Sequence, residues 1–176
     1  MALVVFLRGV NVGGHRTFRP SELAARLKHL GAVNIGAAGT YVIRQRISAT
    51  QLRAEFARRL PFETRIVICQ GREILRLIDR DGFSDRLVRP GVVRFVSVLC
   101  QPPRSAPSLP MSVPARGRWL LKVLARDNRF VLGLYRRHMK VIGYLGSLDR
   151  LFGVQVTTRN WNTIVAIAKV LVAEVP

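Results

Sequence analysis

The chain has 176 residues, of which 49% are hydrophobic and 22% charged, so it can bury one core or two small ones. The 29 Lys and Arg against ten Asp and Glu give a formal net charge of +19. These values exclude an intrinsically disordered chain, a collagen-like repeat and a disulfide-stapled miniprotein. The positive charge favours nucleic acid, anionic lipid or an acidic partner, although the Arg-rich codon usage of a GC-rich genome also accounts for it.

The first half of the sequence alternates strand-like and helix-like patterns. An apolar run at residues 2–7 predicts a buried first strand. Ser48 with Gln51 forms a capping-box pattern at the start of a predicted helix. The resulting order, β-α-β-β-α-β, is typical of a ferredoxin-like split βαβ unit. The predicted elements are a strand at 2–7, a helix from Pro20 to Gly31, strands at 33–35 and 40–47, a helix from Ser48 to Pro61 and a strand at 65–69.

The second half predicts a degenerate version of the first. Five prolines at 102–114 predict an irregular, polyproline-like connection. The fold class is therefore α+β with two small ferredoxin-like halves: an N-terminal subdomain at 1–82 with an extra helix, and a C-terminal α+β subdomain at 83–176. The extra helix of the N-terminal subdomain is predicted at 71–79. The predicted elements of the C-terminal subdomain are a strand at 92–99, a hairpin of strands at 119–124 and 129–134, a short helix at 147–152 and a final helix at about 161–173.

Cysteine content and hydropathy limit the cellular setting. Cys69 and Cys100 lie in strand-like runs without a CxxC or Cys/His pattern, so no metal and no cofactor is predicted. No apolar run approaches the roughly 18 residues of a membrane span, so we expect no membrane partner. The N-terminal apolar run is too short for a signal peptide, and a cytoplasmic location is expected. The oligomeric state stays open.

Two polar stretches point to a family. Near the start, residues 7–15 read Leu-Arg-Gly-Val-Asn-Val-Gly-Gly-His, and near the end residues 156–163 read Val-Thr-Thr-Arg-Asn-Trp-Asn-Thr, opening the last helix. This pair resembles the bacterial family called domain of unknown function 1697, whose members carry an Arg-Gly-Ile/Val-Asn-Val-Gly-Gly stretch and a Thr-Thr-Arg-Asn-Trp-Asn-Thr stretch. The resemblance implies an α+β fold of two ferredoxin-like halves and no established activity.

The first stretch is a candidate ligand loop. Its glycines permit positive φ and close approach of the backbone to a ligand, and its polar side chains can hold an anion. The stretch matches neither the dinucleotide nor the P-loop pattern, so a tight turn that simply needs glycine is the alternative. The predicted ligand-binding residues here are Arg8, Asn11, Gly13, Gly14 and His15.

The second stretch is the other candidate. Arg159 can bind phosphate or carboxylate in a bidentate way, and Trp161 can stack on a base; the alternative is a helix cap with a core tryptophan. We expect Arg8 and Asn11 to line one cleft with Arg159 and Asn160. The predicted ligand-binding residues here are Thr158, Arg159, Asn160, Trp161 and Asn162.

These patterns favour non-catalytic binding of an anionic ligand, with nucleic acid as one candidate. The alternative is an enzyme acting on a phosphorylated or other anionic small molecule, with Arg8, His15 and Arg159 at its site; no acid–base pair identifies catalytic residues. A third class is a scaffold that uses the proline-rich segment. Two basic runs, at 116–122 and 136–140, with Trp119 and Tyr135 nearby, could follow a phosphate backbone.

Overall fold

The computed structural model describes residues 2–12, 14, 16–80, 82–83 and 89–173. It has mixed helix and strand content with two antiparallel sheets, which confirms the α+β class. The elements in chain order are β1 (Leu3–Leu7), α1 (Pro20–Arg26), β2 (Ala32–Asn34), β3 (Thr40–Ile43), α2 (Ala49–Arg59), β4 (Ile66–Gln70), α3 (Gly71–Asp79), β5 (Val92–Leu99), β6 (Met111–Val113), β7 (Leu121–Asp127), β8 (Phe130–Arg136), α4 (Val141–Gly146), α5 (Leu148–Phe152), β9 (Val156–Asn160) and α6 (Trp161–Val172).

The chain divides into two compact units. The first comprises residues up to Asp79 together with those from Asn162 onward, and the second comprises Arg80–Trp161. The unit boundary near the C-terminus therefore falls at the start of α6, directly after β9. The predicted subdomain ranges 1–82 and 83–176 stay a prediction.

The first unit contains a four-stranded sheet in the order β2-β3-β1-β4, with antiparallel pairing throughout. Its core joins alternate strand residues to the apolar stripes of α1 and α2, for example Tyr41 in edge-to-face contact with Phe56 at 5.1 Å between ring centroids. The helix α2 begins with the predicted capping box, since the Ser48 side chain accepts from the Gln51 amide and the Gln51 side chain accepts from the Ser48 amide. Local sequence and burial therefore agree on this helix.

The loop before β3 requires glycine at position 39. Gly39 has φ +67°, and a Cβ there would lie 2.7 Å from Val10 Cγ2 and 2.9 Å from Leu7 Cβ. Its carbonyl also accepts a 2.8 Å hydrogen bond from the Leu7 amide. The loop before β3 is thus pressed against the residues that follow β1, where the first polar stretch begins.

The second unit contains a five-stranded antiparallel sheet in the order β6-β7-β8-β5-β9. One face packs on α4 and α5 around Phe95, Leu148 and Phe152, which are fully buried. The hairpin of β7 and β8 contains a β-bulge between Val123 and Ala125. This bulge shifts the register of the hairpin by one residue.

Besides shifts in element bounds, such as a hairpin whose strands are 121–127 and 130–136 rather than 119–124 and 129–134, three differences from the sequence-based expectation change the type or number of elements. The proline-rich segment is not irregular throughout, because it contains the strand β6; β6 is an edge strand, where flanking prolines are tolerated because the outer amides need no partner. The helix α4 has no counterpart among the predicted elements, since its two glycines weaken the helical pattern. Residues 156–160 form the strand β9 rather than a helix opening, because β-branched Val and Thr pair with β5.

Candidate functional site

The first polar stretch forms a loop fastened by Asn11. Asn11 has φ +53°, its Nδ2 donates to the Ala37 carbonyl at 2.7 Å, and its Oδ1 accepts from the Phe18 amide at 2.9 Å. The Asn11 side chain therefore closes its own loop through the bond from Phe18 and joins that loop to the loop before β3 through the bond to Ala37. Gly14 has φ +76° with open space where a Cβ would lie. The predicted ligand residues Gly13 and His15 lie outside the described residues.

The backbone of Arg8 joins this loop to the chain before β4. The Arg8 amide donates to the Arg65 carbonyl at 3.0 Å, and the Arg8 carbonyl accepts from Thr64 Oγ1 at 2.5 Å. Arg8 is half-buried, whereas Arg16 and Arg65 are exposed. Backbone hydrogen bonding thus holds Arg8, directly after β1, beside Arg65, directly before β4.

The second polar stretch is mostly the strand β9, in which Arg159 is buried. Arg159 is 6% exposed, and its Nη1 donates to Thr157 Oγ1 at 2.9 Å and to the Thr158 carbonyl at 2.8 Å. Burial lowers the pKa of the Arg159 guanidinium to about 10, because removal from water disfavours the charged form. These contacts favour a structural role, and an anion-clamp role for Arg159 stays a prediction.

The other residues of the second stretch vary in exposure. Thr158 shares a 2.6 Å hydroxyl hydrogen bond with Ser97 on β5. Asn160 is exposed at the end of β9, and Asn162 is exposed in the first turn of α6. Trp161 is half-buried with its ring in edge-to-face contact with Phe83 at 5.0 Å, so this tryptophan packs against an aromatic neighbour of its own unit.

The predicted site residues are divided between the two units. Arg8, Asn11, Gly14 and Asn162 belong to the first unit, and Thr158, Arg159, Asn160 and Trp161 to the second. Within the first unit, the Asn11 bonds bring the loop of the first stretch to the loop before β3. Within the second, pairing with β5 holds the residues of β9. The expectation that both stretches line one cleft stays a prediction.

A second cationic region lies in the second unit. Residues 89–148 contain 11 Lys and Arg but a single acidic residue, Asp127. The carboxylate of Asp127 accepts from Arg80 Nη1 at 2.7 Å, so it is already paired. Seven of the basic residues are exposed and none is buried. The exposed ones are Arg89, Arg104, Arg116, Arg118, Arg126, Arg137 and Lys140.

A finer charge count would have located this region from the sequence. Residues 1–82 carry a net charge of +8 and residues 83–176 a net charge of +11, so the positive charge looks evenly distributed along the chain. The imbalance becomes visible only in the window 89–148, where acidic residues are almost absent. Its exposure, however, depends on the sheet and cannot be read from composition.

Other features of the described residues bear on the site. The proline-rich segment is tied to α5, since the Arg104 amide donates to the Phe152 carbonyl at 2.9 Å. Among the residues that the structure describes, no three His, Cys, Asp or Glu side chains converge as metal ligands would. Within the same ranges, no helix has the length and apolar character needed to cross a bilayer.

Comparison with known proteins bears on the fold and the family. The conserved bacterial protein SP0830 from Streptococcus pneumoniae has a similar fold, with a TM-score of 0.60 and 14% identity over 97% of this chain and 98% of that chain. No curated protein matches the chain. The family model described as protein of unknown function (DUF1697) matches residues 1–116. The resemblance predicted from the two polar stretches is thereby confirmed, and the chain belongs to this family.

Proposed function

We propose that the protein binds a polyanion, such as single-stranded nucleic acid, through the basic surface of its second unit and without catalysing a reaction. The observation that carries the proposal is the charge of residues 89–148: 11 basic residues accompany one acidic residue, which Arg80 already pairs. Exposed cations that no carboxylate pairs within the described part of the chain create a positive field that attracts phosphate chains. In the first unit, by contrast, Glu55 alone is paired with both Arg58 and Arg59.

Salt dependence tests this proposal. Binding of a fluorescein-labelled 20-nucleotide single strand is measured by anisotropy between about 50 and about 200 mM NaCl. If about six phosphates are contacted, affinity falls about 300-fold over this range, because each neutralised phosphate releases counterions. Absence of binding at about 50 mM NaCl would contradict the proposal and leave Arg-rich codon usage as the account of the charge.

We further propose that the first unit is a ferredoxin-like split βαβ unit and that the protein works in the cytoplasm. The element order β1-α1-β2-β3-α2-β4 and the sheet order β2-β3-β1-β4 support the first point. The sheet of the second unit follows the same order with one strand added, since β9-β5-β8-β7 corresponds to β4-β1-β3-β2 and β6 lies at the edge beyond β7. A degenerate copy is supported because the described residues between β5 and β7 contain no helix, where the first unit has α1. Neither Cys69 nor Cys100 forms a disulfide, which suits a reducing compartment.

A further inference from the structure

Two cations of the second unit share one aromatic ring. Lys122 Nζ lies 4.8 Å from the centroid of the Trp119 ring, and Arg136 Cζ lies 4.2 Å from the same centroid. Arg136 is fixed further because its Nε donates to the Trp119 carbonyl at 3.1 Å. The π-electrons of the ring attract both cations. The three residues, named here the Trp119 cluster, therefore hold two positive charges in a defined place.

The backbone holds this cluster on the sheet. The Arg136 amide donates to the Leu120 carbonyl at 2.8 Å, and the Leu120 amide donates to the Val113 carbonyl at 2.9 Å. Trp119 thus lies just before β7, beside the end of β8 and close to β6. A site built on paired strands keeps its side chains better oriented than one on a free loop.

The charges of the cluster are not neutralised within the described part of the chain. No carboxylate there pairs with Lys122 or Arg136, and the two Nη atoms of Arg136 and the Nζ of Lys122 have no hydrogen-bond partner among those residues. Two like charges at one ring repel each other, and a bound anion relieves that repulsion. A guanidinium stacked on an indole presents its Nη donors at its edge, where they match the oxygens of a phosphate.

We infer that the Trp119 cluster is a phosphate clamp, in which Lys122 and Arg136 bind one phosphate group of a linear phosphate chain and Trp119 positions them. The inference rests on the proposed function and adds its site and the recognised group. Arg136 already lies over the ring with its Cζ 4.2 Å from the centroid, and Lys122 contacts the same ring, so the tryptophan supports cations rather than a base. Recognition is then independent of base identity and extends to phosphate chains without bases.

The test uses the full chain in three arms. The first arm measures the anisotropy of the labelled single strand with the parent protein and with the cluster variant Lys122→Gln/Arg136→Gln. The control variant is Arg104→Gln/Arg150→Gln, which removes the same charge from exposed positions of the same unit. We expect the cluster variant to bind about tenfold or more weakly than the control variant, with a salt slope lower than the parent's by about 0.7, the value for one lost phosphate contact. Trp119→Leu keeps the charge and should still weaken binding several-fold, whereas Trp119→Phe should restore most of it. Thermal unfolding of each variant confirms that it is folded.

The second arm replaces the ligand: inorganic polyphosphate should displace the labelled strand from the parent protein. The third arm titrates pyrophosphate into Trp161→Phe, in which Trp119 is the sole tryptophan, and follows the fluorescence emission of Trp119. We expect a saturable change that Lys122→Gln/Arg136→Gln abolishes.

Strand binding that is equal in the cluster and control variants would overturn the clamp and leave the proposed function standing. Failure of polyphosphate to compete would also overturn it, in favour of base recognition. A saturable pyrophosphate response without strand binding would retain the clamp and reject the proposed function.

Discussion

Replacing Gly133 with Ala is expected to lower the free energy of unfolding by about 3 kcal/mol or more, through overpacking and loss of strand pairing. A Cβ at Gly133 would lie 2.3 Å from the Lys122 carbonyl oxygen and 2.3 Å from Phe95 Cζ. Neither neighbour can move freely, because the carbonyl belongs to the paired strand β7 and Phe95 is fully buried in the core. The glycine thus lets an aromatic ring of β5 lie across β8.

Urea unfolding measures this effect against a matched control. Gly143 lies in α4, and a Cβ there would meet no atom within 4 Å, so Gly143→Ala should leave stability unchanged or raise it slightly, since Ala favours helix. Adding Phe95→Leu to Gly133→Ala should recover part of the loss by removing one of the two close contacts. Equal urea midpoints for Gly133→Ala and Gly143→Ala would contradict the account of this sheet.

Replacing Arg159 with Gln is expected to destabilise the protein by about 1–3 kcal/mol, the cost of leaving buried hydrogen-bonding groups unpaired. Arg159 is buried and donates to both Thr157 and Thr158 on its own strand. Arg150→Gln is the control, since Arg150 is exposed and a surface change of this kind stays within about 0.5 kcal/mol. If Arg159 instead clamps an anion, Arg159→Gln should leave the free protein stable and abolish the rise in Tm that phosphate or sulfate causes.

The lowered pKa of Arg159 gives the same variant a pH signature. The folded protein holds this guanidinium with a pKa of about 10, well below its ordinary value. Below about pH 10 the guanidinium is charged in both states, and the cost of burying its charge is fully present. Above about pH 10 the unfolded chain binds more protons at this group than the folded protein does, so the contribution of Arg159 to stability rises with pH. The stability difference between parent and Arg159→Gln should widen above about pH 10, by at most about 1.4 kcal/mol per pH unit. A constant difference between about pH 9 and about pH 11 would contradict this assignment.

Local patterns in the sequence predict much of the fold because they act over a few residues. The capping box at Ser48 and the helix Gly71–Asp79 depend on neighbours within one or two turns, and both are confirmed. The strand β9 is not predicted, because its pairing with β5 joins residues about 60 positions apart. The burial of Arg159 follows from that pairing and cannot be predicted without it.

The Trp119 cluster shows a second limit of sequence reasoning. The predicted hairpin of residues 119–124 and 129–134 brings the two basic runs near each other. In the structure Asp127 faces Phe130 at the turn, and this register, if continued, would pair Lys122 with Tyr135. The bulge between Val123 and Ala125 shifts that pairing to Leu134, and a shift of one residue changes which side chains share a face. The sequence therefore predicts that Trp119 and basic residues are neighbours, but only the register brings Lys122 and Arg136 to one ring.

The central claim is that the basic surface of the second unit, rather than net charge, binds the polyanion. The most direct measurement compares the salt slopes of strand binding for two variants that each lose three exposed charges: Arg116→Gln/Arg118→Gln/Arg137→Gln in the second unit and Arg26→Gln/Lys28→Gln/Arg46→Gln in the first. The account predicts that the first variant loses about 2 from the slope of log affinity against log salt, and that the second keeps the parent slope. Equal losses in both variants would contradict the claim and attribute binding to the overall charge of the chain.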